Sequence, residues 1–258
     1  MKKTVFDIVA YVMVFLAIQS GVYYSVLELW RVCSGKSDIS SLKLTVCMTV
    51  FSLLTIGVFW AARWFRGSRR YLQSRPWFTA FWCGMAAVGA LIPSQWLQEQ
   101  LPALPNWAED ALGKILTDQY SYMAVGLLVP IAEEVVFRGA VLRTLLERWR
   151  VNHWWPIAVS ALLFALVHGN PAQMPHAFLA GLLLGWMFYR TGSIVPGVVF
   201  HWVNNSVAYV LCNLLPAPDA PLVTLFGGSE RHVHLAVIFS MCILLPSIYQ
   251  LSLRLKRE

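Results

Sequence analysis

Long apolar stretches, broken by short polar ones, run the length of the chain. A helix needs about 20 residues to cross a hydrocarbon core about 30 Å thick. Apolar stretches of roughly that size fall at about 5–27, 42–62, 77–97 and 119–142, with four more at about 154–168, 174–190, 194–215 and 233–253. The pattern predicts an all-α fold, a polytopic membrane helix bundle of about eight transmembrane helices. The fifth and sixth stretches are separated only by Gly169-Asn170-Pro171-Ala172-Gln173, which predicts a tight helical hairpin turning at the membrane surface. Residues 1–118 carry helices one to three, 119–215 helices four to seven, and 216–258 the eighth helix with a basic tail.

Composition narrows the class. Of 258 residues, 58% are hydrophobic and only 13% charged, where a soluble domain has about a quarter charged. Mean hydropathy is +0.59. That excludes disordered, fibrous and small disulfide-scaffold proteins. Cys33, Cys47, Cys83, Cys212 and Cys242 stand singly, mostly in apolar stretches, with neither a redox nor a zinc-ribbon spacing. Met1-Lys2-Lys3 and the apolar run after it look like a signal peptide, but the run is too long for an h-region, so it is expected to stay as a first transmembrane helix.

The net charge of +7 reads as a topology signal, not as a nucleic-acid footprint. Eight spans put both termini on one side. That side holds Lys2, Lys3, Arg63, Arg66, Arg69, Arg70, Arg75, Arg138, Arg143, Arg148, Arg150, Arg190, Arg254, Lys256 and Arg257, fifteen cations; the other holds Arg31, Lys36, Lys43, Lys114 and Arg231, five. With Arg138 inside the membrane the count is fourteen to five. Basic loops stay in the cytoplasm. An integral, multi-pass membrane protein with both termini cytoplasmic is expected, with the lipid bilayer as a partner and no nucleic acid.

Ionisable groups at bilayer depth are costly and mark functional sites by default. Three clusters qualify. In Glu133-Glu134-Val135-Val136-Phe137-Arg138, Glu134 precedes Arg138 by four residues, the favourable helical ion pair. Glu133 points about 100° away and has no partner nearby in sequence, so its carboxylate is free to take up a proton as a general base does. Pro130 should kink the helix one turn earlier. The second cluster, Phe164-x-x-x-His168, sets a ring and an imidazole on one helical face. The third, His201-x-x-x-Asn205, offers two donors to one ligand oxygen, as an oxyanion hole requires. Each has a plain structural alternative: a buried ion-pair knot, an interfacial histidine, a polar clamp between helices.

These three motifs, in this order on successive spans, resemble those of the CPBP (CAAX protease and bacteriocin-processing, Abi) family of intramembrane glutamic-type proteases. Gly181-x-x-x-Gly185 and the turn Arg190-Thr191-Gly192-Ser193 resemble it too, and the likeness covers about residues 119–215. The resemblance implies an intramembrane endopeptidase acting on a membrane-associated protein or peptide, with a catalytic core at 119–215. Glu133 would activate water with help from His168, His201 and Asn205 would stabilise the oxyanion, and Glu134, Arg138 and Phe164 would support the site. No cofactor is implied.

Rival readings differ in chemistry. A zinc protease of the usual kind needs a His-Glu-x-x-His helix, which is absent, although Glu133, His168 and His201 could hold a divalent metal such as zinc. A proton-coupled transporter would show inverted repeats and paired broken helices; the chain shows neither. A mere scaffold would have no use for an unpaired buried carboxylate.

Overall fold

The computed structural model describes residues 2–35, 39–65, 76–149, 152–215 and 220–255, and every regular element among them is helical. In chain order they are α1 (Lys2–Ser34), α2 (Ser41–Ala61), α3 (Trp77–Glu99) and the short α4 (Glu109–Leu116). Next comes a continuous helix over residues 123–148, α5, in which π turns alternate with α turns: π over Met123–Leu128 and Val135–Leu142, α over Val129–Glu134 and Arg143–Arg148. Then follow α6 (Trp154–Val167), α7 (Met174–Thr191), α8 (Val195–Leu214), the one-turn α9 (Leu222–Leu225) and α10 (Glu230–Arg254).

Four helices are long and apolar enough to cross a membrane by length and composition: Lys3–Ser34, Ser41–Ala61, Trp77–Glu99 and Glu230–Arg254. α6, at 14 residues, is apolar but shorter; α5, α7 and α8 carry most of the polar clusters. α1 extends two turns beyond the expected 27, and α5 six residues beyond the expected 142, because their polar last turns continue the helix past the apolar stretch. The 169–173 turn forms as expected, with Gln173 N–H donating to Asn170 O at 3.0 Å.

Contacts sort the bundle into two ends. At one, Arg148 pairs with Asp7, Arg190 donates to Ser252 O and Leu255 O, and the Arg254 guanidinium lies over Phe78. At the other, Trp107 N–H donates to Asn170 Oδ1, Leu222 N–H to Glu99 Oε1, and Tyr209 OH to Asp118 O. Arg148, Arg190 and Arg254 thus gather at the first end. Lys36, Arg66, Arg69, Arg70, Arg75, Arg150, Lys256 and Arg257 lie outside the described residues. Trp60, Trp77, Phe78 and Trp155 are exposed at the first end, Trp107 and Tyr120 at the second, two aromatic belts at the level of lipid headgroups.

Within lipid there is little hydrophobic drive between helices, so close packing and polar links hold them. A Cβ on Gly181 would lie 2.9 Å from the Ala161 Cβ, and one on Gly185 2.9 Å from Ile157 Cγ2. The small-x-x-x-small stripe therefore seats α7 directly against α6. Ser160 Oγ on α6 donates to Phe137 O on α5 at 2.9 Å, fixing the third member of this group.

Candidate active site

Pro130 organises the middle of α5. Val129 N–H donates to Ala124 O in the wide π spacing. The next bond in that register would run from residue 130 to Val125 O, and proline has no N–H. A buried carbonyl left so would cost free energy. Asn205, on α8, donates its Nδ2–H to Val125 O at 3.0 Å and fills the vacancy. Around Pro130, π turns flank a short α segment, and that segment carries the two glutamates. Such π segments recur at functional sites.

Glu134 and Arg138 are both fully buried, with Arg138 Nη1 donating to Glu134 Oε1 at 2.9 Å. Arg138 Nη2 reaches the Gly181 carbonyl at 3.3 Å, and its guanidinium lies 4.4 Å from the Phe164 ring centroid. Four independent elements meet there, because α8 is admitted by Gly197, where a Cβ would fall 2.6 Å from Glu134 Oε2.

Glu133, expected to stand without a partner, faces His201. Its Oε2 lies 3.6 Å from His201 Nε2, and Glu134 Oε1 lies 3.5 Å from His201 Nδ1. The imidazole is bracketed by both carboxylates at ion-pair distance, beyond hydrogen-bonding length. The Glu133 and His201 side chains keep 13% and 10% of their surface exposed. Among the described residues, Glu134 Oε2, Arg138 Nε, His201 Nδ1 and Asn204 Oδ1 are buried without a hydrogen-bond partner. Such unspent capacity in one place calls for a functional account.

Phe164 joins the pieces. Its ring meets His168 edge-on at 4.9 Å and His201 edge-on at 5.9 Å. His168 Nδ1 lies 2.8 Å from the Phe164 carbonyl. A carbonyl only accepts, so Nδ1 carries the proton and Nε2 is left as an acceptor. The structure thus brings Glu133, Glu134, Arg138, Phe164, His168, His201 and Asn205 into one region. Among the described residues no three His, Cys, Asp or Glu side chains gather as a metal-holding set, so Glu133, His168 and His201 are near one another without converging on one point.

Two side chains not singled out in the sequence also belong here. His176, in the first turn of α7, lies within electrostatic reach of both His168 and His201. Its Nδ1 is 2.6 Å from Ser94 Oγ on α3, and its Nε2 is 3.5 Å from Nδ2 of buried Asn204. The signal for His176 was present, an ionisable residue inside an apolar stretch. Its partners, from 28 to 82 residues away, were not visible.

Comparison with known proteins agrees with the motifs. Residues 117–207 match the family model described as Type II CAAX prenyl endopeptidase Rce1-like. The matched segment contains all seven residues of the three motifs, as well as His176 and Asn204, but not Ser94. The matched model is that of a peptidase family. With the apolar helices it makes the chain an integral membrane protein. A relative from Escherichia coli, named Uncharacterized 24.3 kDa protein, is 28% identical over 105 residues, 39% of this chain and 48% of that protein. The chain therefore aligns with about half the length of this relative. No solved structure matches the chain.

Proposed function

We propose that the chain is an intramembrane endopeptidase that hydrolyses a peptide bond of a membrane-associated protein or peptide, with Glu133 as the general base. The observation that carries the reading is the Glu133–His201 pair, 3.6 Å apart and barely accessible, inside the segment that matches a peptidase family.

Arg138 pairs with Glu134, which leaves the Glu133 carboxylate to face His201 Nε2. A water hydrogen-bonded to both from the open side loses a proton to Glu133 as its oxygen bonds to the scissile carbonyl carbon. Negative charge then develops on the carbonyl oxygen, where His201 and the second Nδ2–H of Asn205 stabilise it. As the carbon–nitrogen bond breaks, Glu133 returns the proton to the departing amine. The acceptor Nε2 of His168 orients the water. No metal takes part. The work is done in the membrane of a bacterial cell, with both chain termini in the cytoplasm.

The printed family name points to a prenylated peptide as the first probe. The full chain in lipid nanodiscs, given a quenched fluorescent peptide with an S-prenylated Cys-aliphatic-aliphatic-X end, is expected to cleave it, and Glu133→Gln is expected to remove cleavage while the protein stays folded. Equal cleavage by wild type and Glu133→Gln would overturn the assignment.

A further inference from the structure

A string of polar contacts leads away from Asn205 to a helix outside the matched segment, and the hydrogen positions along it can be worked out. Val125 O only accepts, so the Asn205 atom 3.0 Å from it is the amide nitrogen. The Asn205 oxygen therefore faces Asn204, whose nearest atom, at 3.4 Å, must be the donor Nδ2. That same nitrogen lies 3.5 Å from His176 Nε2, so Nε2 accepts. The neutral imidazole then carries its proton on Nδ1 and donates it to Ser94 Oγ at 2.6 Å. Inverting either amide would set oxygen against oxygen or donor against donor, so the direction of the whole string is fixed from the position that Pro130 leaves open. Among the described residues Asn204, only 8% exposed, has no other anchor for its amide.

We infer that His176, its Nε2 accepting from Asn204 and its Nδ1–H taken up by Ser94, is a positioning residue that orients the Asn204–Asn205 carboxamide pair and so aims the second Asn205 N–H at the developing oxyanion. This rests on the endopeptidase reading for its purpose, though not for its geometry. The string lies between α3, α7 and α8, so the first third of the chain takes part in setting the catalytic core. A donor displaced by an ångström is worth far less than one held in place.

The test uses the full chain in lipid nanodiscs, labelled with ¹⁵N at histidine and asparagine. The expected spectrum gives His176 a protonated Nδ1 and an unprotonated Nε2, and gives Asn205 a slowly exchanging side-chain amide. His176→Ala should lose that slow exchange and lower kcat on the prenylated peptide about 10- to 100-fold, with KM little changed. His176→Gln, whose Oε1 can accept from Asn204 as Nε2 does, should restore both. If His176→Ala does not fold, Ser94→Ala decides the matter: it removes the acceptor of the Nδ1 proton, frees the ring to turn, and should speed exchange of the Asn205 side-chain amide. An Nε2–H tautomer in the wild type, or an Asn205 amide indifferent to folded His176 or Ser94 variants, would overturn the inference. Retained cleavage by Glu133→Gln would instead overturn Glu133 as the base and leave the tautomer standing.

Discussion

Asn205 donates to the one carbonyl of α5, that of Val125, which Pro130 would serve in the π register if it had an N–H. The two residues are complementary, which a double-mutant cycle can measure. Asn205→Ala should strand the carbonyl and cost about 1–3 kcal/mol. In a Pro130→Ala background, where a backbone N–H is available, the same change should cost clearly less. Unfolding in detergent by heat or denaturant reads both, and strictly additive losses would show that the two positions are independent.

Removing one oxyanion donor typically costs about 10²–10³ in turnover. Asn205→Ala is expected to leave cleavage of that order, weak but measurable, with substrate binding largely kept. His201→Ala should be at least as severe, since it also removes the partner of Glu133. Full-rate cleavage by Asn205→Ala would make α8 a structural clamp alone. Chelation should leave the rate unchanged; joint loss of activity and bound metal in His168 and His201 variants would install a metal-dependent mechanism in its place.

Glu134 and Arg138 should behave as a unit. Either single change to an apolar residue leaves a buried charge unanswered and is expected to cost about 3–5 kcal/mol, whereas Glu134→Leu with Arg138→Met should recover most of that loss. Gly197→Ala is the steric counterpart: its Cβ would meet Glu134 Oε2 at 2.6 Å, so it should destabilise by about 1–3 kcal/mol. Gly84→Ala serves as the control, because its Cβ would lie 3.5 Å from Val203 Cγ2, an ordinary contact. Thermal melts of the purified variants should rank them in that order.

Orientation in the membrane is open to labelling. With the exposed native Cys33 and Cys242 replaced, a cysteine at Glu109 should react with a membrane-impermeant reagent added to intact cells, and one at Arg70 only after lysis. The opposite pattern would invert the topology that the fourteen-to-five cation count supports.

Helices could be read from the chain with few errors. The stretches expected at 154–168, 174–190 and 194–215 correspond to Trp154–Val167, Met174–Thr191 and Val195–Leu214. The Glu134–Arg138 pair was legible because its four-residue spacing is a local property of a helix. What could not be read depends on distant parts of the chain. The partner of Glu133 is 68 residues away in sequence, and Ser94 is 82 residues from His176. The π turns were missed for a related reason: nothing in the apolar pattern of α5 distinguishes a wide turn, and the group that stabilises one of them, Asn205, arrives from α8.

The three changes of pitch give α5 a further property. A helix whose turns are uneven is a screw that has been cut and rejoined, and its phase at Arg138 depends on how many residues lie between the cuts. Loss of a single residue from Val135 or Val136 would let the following turns close as ordinary α-helix and leave Arg138 three residues after Glu134, shifted in height and phase against Phe164 and Gly181. Substitutions along this stretch change a contact; a change in its length would turn half the helix out of step with the other half. The segment can therefore vary in sequence much more freely than in length.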